Sequence, residues 1–114
     1  DSMKASLKDL MARIPGPVTD EWPLGEPFTA AMRHATMSVE VFAPRVEDTQ
    51  QPHDQDELYF VVGGSAEFIH KGERMKVANG DALFVAADDP HHFEAMSDDF
   101  VTWVVFWGPK GGER

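Results

Sequence analysis

The sequence contains no cysteine. A disulfide scaffold and thiolate metal ligands are therefore excluded, because both need cysteine sulfur. Any metal site must be built from histidine, carboxylate and amide groups. No apolar run approaches the length of a membrane-spanning helix, and the first ten residues lack the apolar segment of a signal peptide. We therefore expect a cytoplasmic protein that has no membrane partner.

Positive charge is also scarce. Lys and Arg total 10 against 20 Asp and Glu, which gives a formal net charge of −10. The phosphates of nucleic acids and the surface of an anionic membrane would repel such a chain, so we expect neither as a partner. The 114 residues, of which 42% are hydrophobic, suffice for one folded domain with a single core.

A short N-terminal helix is predicted by apolar residues at positions i, i+3, i+4 and i+7, which are Leu7, Leu10, Met11 and Ile14. Ser2 or Ser6 can cap its start, and a Pro-Gly-Pro stretch ends it. Residues 15–27 hold four of the eight prolines and are predicted to form an extended connector. We divide the chain into this helix and connector, residues 1–27, and a β-rich part, residues 28–114, within one domain overall.

Short β-type runs follow one another from residue 28 onward, separated by turn signals. They lie at residues 37–42, 57–62, 65–70, 73–78, 81–86, 91–96 and 100–107. The Asn79-Gly80 pair is the strongest hairpin signal, because both residues tolerate positive φ. The run from Phe100 to Trp107 is apolar on both faces, which predicts burial on both sides. With no helix between the runs, the pattern predicts an all-β sandwich or barrel rather than a βαβ fold.

The five histidines, His34, His53, His70, His91 and His92, are the natural candidates for chemistry. No serine lies in a nucleophile-elbow pattern, and no glycine-rich loop precedes a helix as phosphate binding requires. We expect His70 to be exposed beside a hairpin turn and His34 to lie on an early strand.

The segment Gln51-Pro52-His53-Asp54-Gln55-Asp56-Glu57 leads into a buried strand. Residues of equal parity share a face of an extended chain, so the odd-numbered polar residues point one way and Asp54 and Asp56 point to solvent. Taken alone, the segment is more simply explained as a solvated loop. If the barrel brings it to the later His-His pair, His53, Glu57 and one histidine of that pair suit Fe(II), Mn(II), Ni(II) or Zn(II).

This segment resembles the first motif of the cupin family. That motif ends in a histidine, three or four residues, a glutamate, six residues and a glycine, and His53, Glu57 and Gly64 have this spacing. One departure stands out, because cupins usually carry His-x-His before the glutamate and Gln51 occupies the first histidine position. A glutamine carbonyl oxygen can bind a divalent metal, but it is a weaker donor than imidazole.

The stretch from Gly80-Asp81 to His91 resembles the second cupin motif in order and spacing. His91 stands at the position of the motif histidine, and His92 then points the other way, to the surface or the rim. Ala86 and Asp88 replace the proline and the glycine of the motif. These departures affect turn geometry more than ligands.

The resemblance implies an all-β double-stranded β-helix, or jelly-roll barrel, with a short N-terminal α-helix outside it. It also implies a divalent transition metal, Fe, Mn, Ni or Zn, held by Gln51, His53, Glu57 and His91, and a homodimer. The family includes dioxygenases, isomerases, epimerases and decarboxylases, so a small oxygenated molecule is the expected partner. The alternative is a non-enzymatic binding or sensing module, and the residues leave open whether the chain is an enzyme.

Overall fold

The computed structural model describes residues 3–114. Helix α1 spans Leu7–Met11 and begins after Ser6, whose side chain makes no capping hydrogen bond. The other predicted cap, Ser2, lies outside the described residues. Residue 14 is predicted to share the helical face but lies beyond the end of the helix. In the part of the chain described, no helix is long and apolar enough to cross a membrane.

Eight strands follow in the described chain, and seven of them, β2 to β8, correspond to the seven predicted runs. Their bounds are β1 (Phe28–His34), β2 (Met37–Phe42), β3 (Asp56–Gly63), β4 (Ser65–His70), β5 (Glu73–Ala78), β6 (Ala82–Val85), β7 (His91–Glu94) and β8 (Val101–Trp107). The prediction is most exact where a glycine turn separates two runs, as at both ends of β4 and β5. It overestimates β6 and β7, which are four residues each.

The strands form two antiparallel sheets. The larger has the order β1-β2-β8-β3-β6, and the smaller has the order β5-β4-β7. Strand β8 lies at the centre of the larger sheet, where it pairs with β2 on one side and β3 on the other. These pairings join segments that are far apart in sequence, as in a jelly roll, and the predicted all-β double-stranded β-helix is confirmed.

The main core lies between the two sheets and consists largely of aromatic rings. The largest of its fully buried side chains are Tyr59, Phe68, Phe93 and Phe100. The ring centroids of Phe93 and Phe100 are 4.9 Å apart, and those of Phe68 and Phe93 are 5.0 Å apart. Trp22 from the predicted connector is also buried in this core, so the connector contributes to the packing.

Helix α1 packs on the outer face of the larger sheet, as predicted. Leu10 from the helix joins Val41 and Val101 in a second, smaller apolar cluster. The helix covers only part of this face, and Phe60 and Phe84 remain 40% and 55% exposed. Strand β8 is predicted to be buried on both sides. Its inner face is buried, but residues 103, 105 and 107 on its outer face are only half-buried, since the helix does not cover them fully.

Gly64 makes the tight turn from β3 to β4 sterically possible. Its φ is +69°, and a Cβ placed there would lie 2.3 Å from Ser97 Oγ and 2.6 Å from the backbone nitrogen of Phe100. Both the positive φ and the lack of space require glycine. The glycine that closes the first motif therefore has a structural role, since it lets β4 leave for the smaller sheet.

Candidate metal centre

Three predicted ligands meet at one end of the interior. His53 lies in the loop before β3, Glu57 is the second residue of β3, and His91 is the first residue of β7. Strand β3 belongs to the larger sheet and β7 to the smaller one, so the facing of the two sheets brings the side chains together. One donor atom from each residue lies within 4.8 Å of the other two.

The donor atoms converge, but three of them gain no hydrogen-bond partner among the described residues. Nε2 of His91 lies 2.5 Å from Oε1 of Glu57, and Nδ1 of His53 lies 3.4 Å from Oε2. Nevertheless, Nδ1 of His53 and both oxygens of Glu57 are buried and have no hydrogen-bond partner among the described residues. Buried polar atoms are nearly always paired. Two imidazoles and a carboxylate whose donor atoms converge fit a divalent transition metal.

The charges at the site are interdependent. Burial would raise the pKa of Glu57, but its interactions with His53 and His91 outweigh burial and lower that pKa. Burial would likewise lower the pKa of His91, but its contact with the Glu57 carboxylate outweighs burial and raises that pKa. The lowered pKa of Glu57 favours the anion that a metal ligand must be, whereas the raised pKa of His91 favours the protonated ring, which competes with metal binding.

The His91 ring is held from both of its nitrogens. Nδ1 donates to the backbone carbonyl of Asp89 at 2.8 Å, which directs Nε2 into the interior. The Tyr59 hydroxyl lies 3.1 Å from Nε2 and donates to Oε1 of Gln50, also at 3.1 Å. Partners of this kind fix the tautomer and orientation of a metal-binding histidine.

The buried carboxyl of Asp48 holds Gln50 in place. The Gln50 amide donates to Oδ2 of Asp48 at 2.6 Å, and the backbone nitrogen of Phe93 donates to the same oxygen at 2.8 Å. Burial raises the pKa of Asp48 despite these hydrogen bonds. Sequence reasoning missed Asp48 and Gln50, which carry no motif. It could have placed Tyr59, since residues two apart on a strand share a face.

The two glutamines of the first motif have different surroundings. Gln51 is exposed and makes no hydrogen bond to another described residue, although it borders the cavity beside the site. Gln55 points elsewhere, because its amide donates to the carbonyls of Thr36 and Gly108, both at 3.0 Å.

The prediction that Asp56 faces solvent is wrong. This side chain is 6% exposed, and its oxygens accept hydrogen bonds from the backbone nitrogens of Ala87 and Glu113, both at 2.9 Å. The C-terminal segment folds back over the start of β3 and covers the side that parity assigned to solvent. Asp54 is exposed, as predicted.

The remaining histidines lie outside the centre. His92 points away from it and contacts the Glu94 carboxylate at 2.7 Å, in agreement with the prediction. His34 is exposed at the end of β1. His70 is predicted to be exposed, but its side chain is only 26% exposed because it stacks on Phe68 and contacts the Asp89 carboxylate at 2.9 Å.

A cavity of about 390 Å³ opens beside the metal ligands. Its walls combine six apolar residues with nine polar ones, and they include Trp22, Phe28, Ser38, Glu40, Phe42, Gln50, His53, Tyr59, Val104 and Phe106. This size is typical of a small-molecule site. Within it, burial raises the pKa of Glu40 to about 7, with smaller opposing effects of His53 and Glu57.

Comparison with known families agrees with this architecture. The sequence profile of the Cupin domain family matches residues 38–107, which is more than half of the chain. The chain belongs to the cupin family. The match covers β2 through β8 of this cupin, and thus all three residues of the candidate metal centre.

Individual relatives resemble this cupin to different extents. An uncharacterized protein, SCO3923 of Streptomyces coelicolor, is 40% identical over 81 residues, which cover 69% of this cupin and 77% of that protein. The transcriptional activator RhaS of Yersinia pestis is 31% identical over 75 residues, 66% of this chain but only 28% of that protein. The DMSP lyase DddQ of Ruegeria pomeroyi superposes with a TM-score of 0.62 at 21% identity, over 71% of this chain and 46% of that one.

Proposed function

We propose that this cupin holds a divalent transition metal on His53, Glu57 and His91 and binds or transforms a small oxygenated molecule in the adjacent cavity. The observation that carries the proposal is the set of buried donor atoms on His53 and Glu57 that converge without hydrogen-bond partners. Fe, Mn, Ni and Zn all suit two imidazoles and one carboxylate. We propose Gln51, at the rim of the cavity, as a weak fourth ligand or as a group that contacts a metal-bound ligand.

The protein's own residues prepare the site for such a molecule. A metal at this place would act as a Lewis acid that polarises an oxygen of the bound molecule. Burial raises the pKa of Tyr59 well above its ordinary value. The hydroxyl of Tyr59, which borders the cavity, therefore keeps the proton that it donates to Gln50 and does not act as a base. Phe42 and Phe106, both buried, supply apolar wall to the cavity beside the site.

The function has two versions, an enzyme and a binding or sensing module, and one relative supports each of them. The resemblance in fold to DddQ, a DMSP lyase, favours an enzyme. The sequence similarity to part of RhaS, a transcriptional activator, favours a binding or sensing module. We propose the metal site for both versions, and a screen for turnover of bound molecules by the metal-loaded protein separates them.

A homodimer remains our proposal for the oligomeric state, and a cytoplasmic location remains a prediction from the sequence. The exposed apolar side chains on the outer face of the larger sheet, Phe60 and Phe84, support the dimer, because a second copy could bury them. Sedimentation of the wild type and of Phe84→Glu tests it. We expect the variant to be monomeric, and a wild-type monomer would contradict the dimer.

Metal analysis of protein purified without added metal tests the metal site. We expect bound transition metal and a lower melting temperature after chelation, because metal binding to the folded state adds to its stability. His53→Ala should lose the metal. His92→Ala is the matched control, since the side chains of His53 and His92 are 39% and 37% exposed. Less than about a tenth of an equivalent of metal, with no effect of chelation, would refute the proposal.

A further inference from the structure

Strand β2 carries a carboxyl where its pattern calls for an apolar residue. Ser38, Glu40 and Phe42 alternate along the strand and all border the cavity, whereas Val41 packs beneath helix α1 on the opposite face. A half-buried carboxyl on an inward-facing strand position is costly, because it loses hydration and gains no hydrogen bond from the strand in return. A residue that breaks the local pattern in this way points to a functional constraint.

The strand register places Glu40 on the sheet face that carries Glu57. Glu40 is paired with Val104 of β8, and Val104 is paired on its other side with Tyr59 of β3. Glu40 and Tyr59 therefore lie in one row, two strand spacings apart, or about 10 Å between their backbones. Glu57 is two residues from Tyr59 and shares its face, so Glu40 and Glu57 lie on the inner face of one sheet with strand β8 between them.

The Glu40 carboxyl makes no hydrogen bond or ion pair with another described residue. The amides and the hydroxyl around it are all engaged, since Gln50 and Tyr59 bond to each other and Gln55 bonds to backbone carbonyls. On the inner face Glu40 lies between Ser38 and Phe42 along β2 and beside Val104 of β8. Among the carboxyls of the cavity wall that have no partner in the described chain, Glu40 is the half-buried one, since Glu21 and Asp54 are exposed, and it is left to meet a ligand.

We infer that Glu40 selects the ligand by accepting a hydrogen bond from a hydroxyl group, so that the ligand is a small hydroxylated carboxylic acid. The inference rests on the proposed function, because the carboxylate end of the acid would be held at His53, Glu57 and His91. The middle of the molecule lies against the aromatic walls. A hydroxyl can donate to Glu40 in either protonation state of the carboxyl, because a protonated carboxyl keeps an acceptor oxygen.

Pairs of acids that differ by one hydroxyl test the inference. The probes are 4-hydroxybenzoate with benzoate, 4-hydroxybutyrate with butyrate, and malate with succinate, with dissociation constants measured by calorimetry on the metal-loaded protein. We expect the hydroxylated member of at least one pair to bind wild type about tenfold more tightly, the value of one hydrogen bond to a charged group. Glu40→Leu should abolish this preference, and Glu40→Gln, which keeps an acceptor oxygen, should retain part of it.

Ser38→Ala is the matched control, because Ser38 borders the same cavity from the same strand and should leave the preference unchanged. Equal affinity within every pair, no binding by any probe, or a preference that survives in Glu40→Leu would each overturn the inference. Metal content is measured on every protein in parallel. A wild type without metal refutes the proposed function alone, whereas a hydroxyl preference that Glu40→Leu removes supports the role of Glu40 with or without metal.

Discussion

Replacing Glu40 with glutamine should stabilise the metal-free protein, by an amount that grows with pH. Burial raises the pKa of this carboxyl from its ordinary value of 4.5 to about 7. Below pH 4.5 the group is protonated in both the folded and the unfolded chain and contributes nothing. Between pH 4.5 and pH 7 it ionises on unfolding, so unfolding releases a proton and wild-type stability falls as the pH rises.

The size of the effect follows from the two pKa values. Each pKa unit corresponds to about 1.4 kcal/mol, so the wild type loses roughly 2 to 3 kcal/mol between pH 5 and pH 8 through this group. Water that enters the cavity reduces the loss, and we take about 1 kcal/mol as the lower limit. Above pH 7 the loss no longer grows, because the carboxyl is ionised in both states. Glutamine has nearly the same shape and does not ionise, so Glu40→Gln avoids the loss.

Urea denaturation of the chelated proteins at pH 5 and pH 8 measures this difference. Glu73→Gln is the control, because Glu73 is an exposed carboxyl at the start of β5. The gain in unfolding free energy of Glu40→Gln over wild type should be larger at pH 8 than at pH 5 by at least about 1 kcal/mol. If that gain is the same at both pH values, Glu40 is solvated in the folded protein, and the account of its burial is wrong.

Three further substitutions test the structure around the site. Tyr59→Phe leaves the groups on either side of the hydroxyl without a partner and should lower the unfolding free energy by about 1 to 2 kcal/mol in urea denaturation. Gly64→Ala should cost more than about 2 kcal/mol, whereas Gly72→Ala, with a similar φ of +83° but open space around it, should cost about 1 kcal/mol. Asp56→Ala should speed amide exchange at Glu113 roughly tenfold or more, because its hydrogen bond is lost.

Each of these outcomes can fail in a specific way. Unchanged stability of Tyr59→Phe would mean that water replaces the hydroxyl. Equal costs of the two glycine substitutions would contradict the close approach of Ser97 to Gly64. Slow exchange at Glu113 in the Asp56 variant would show that other contacts hold the C-terminal segment in place.

The strands were predictable because their signals are local. Lys71-Gly72 lies at the hairpin turn between β4 and β5, and alternation or continuous apolarity fills the intervals between turns. Asn79-Gly80 marks a turn as well, but the hairpin predicted there is wrong, because β5 and β6 lie in different sheets. The pair His53 and Glu57 is local as well, since its spacing lies within one motif. The choice of His91 over His92 needed the order of the second motif and the parity of a strand, both of which the sequence contains.

The remainder of the site depends on contacts between distant segments. Asp56 was wrongly predicted to be exposed, because the segment that covers it lies more than fifty residues further along the chain. Glu40 was not singled out because its place in one row with Tyr59 follows from the pairing of β2 with β8 and of β8 with β3. Gln50 and Asp48 occupy a loop, where parity predicts nothing about direction.

Two of the three proposed metal ligands come from different sheets, since Glu57 lies on β3 and His91 on β7. The separation of those sheets is set by the rings packed between them, among them Phe68 and Phe93. The distance between the imidazole and the carboxylate is therefore a property of the whole sandwich. A larger or smaller side chain in that layer would change the ion radius that fits the proposed site best. Substitutions in the core would therefore alter the metal preference without any change in the proposed ligands.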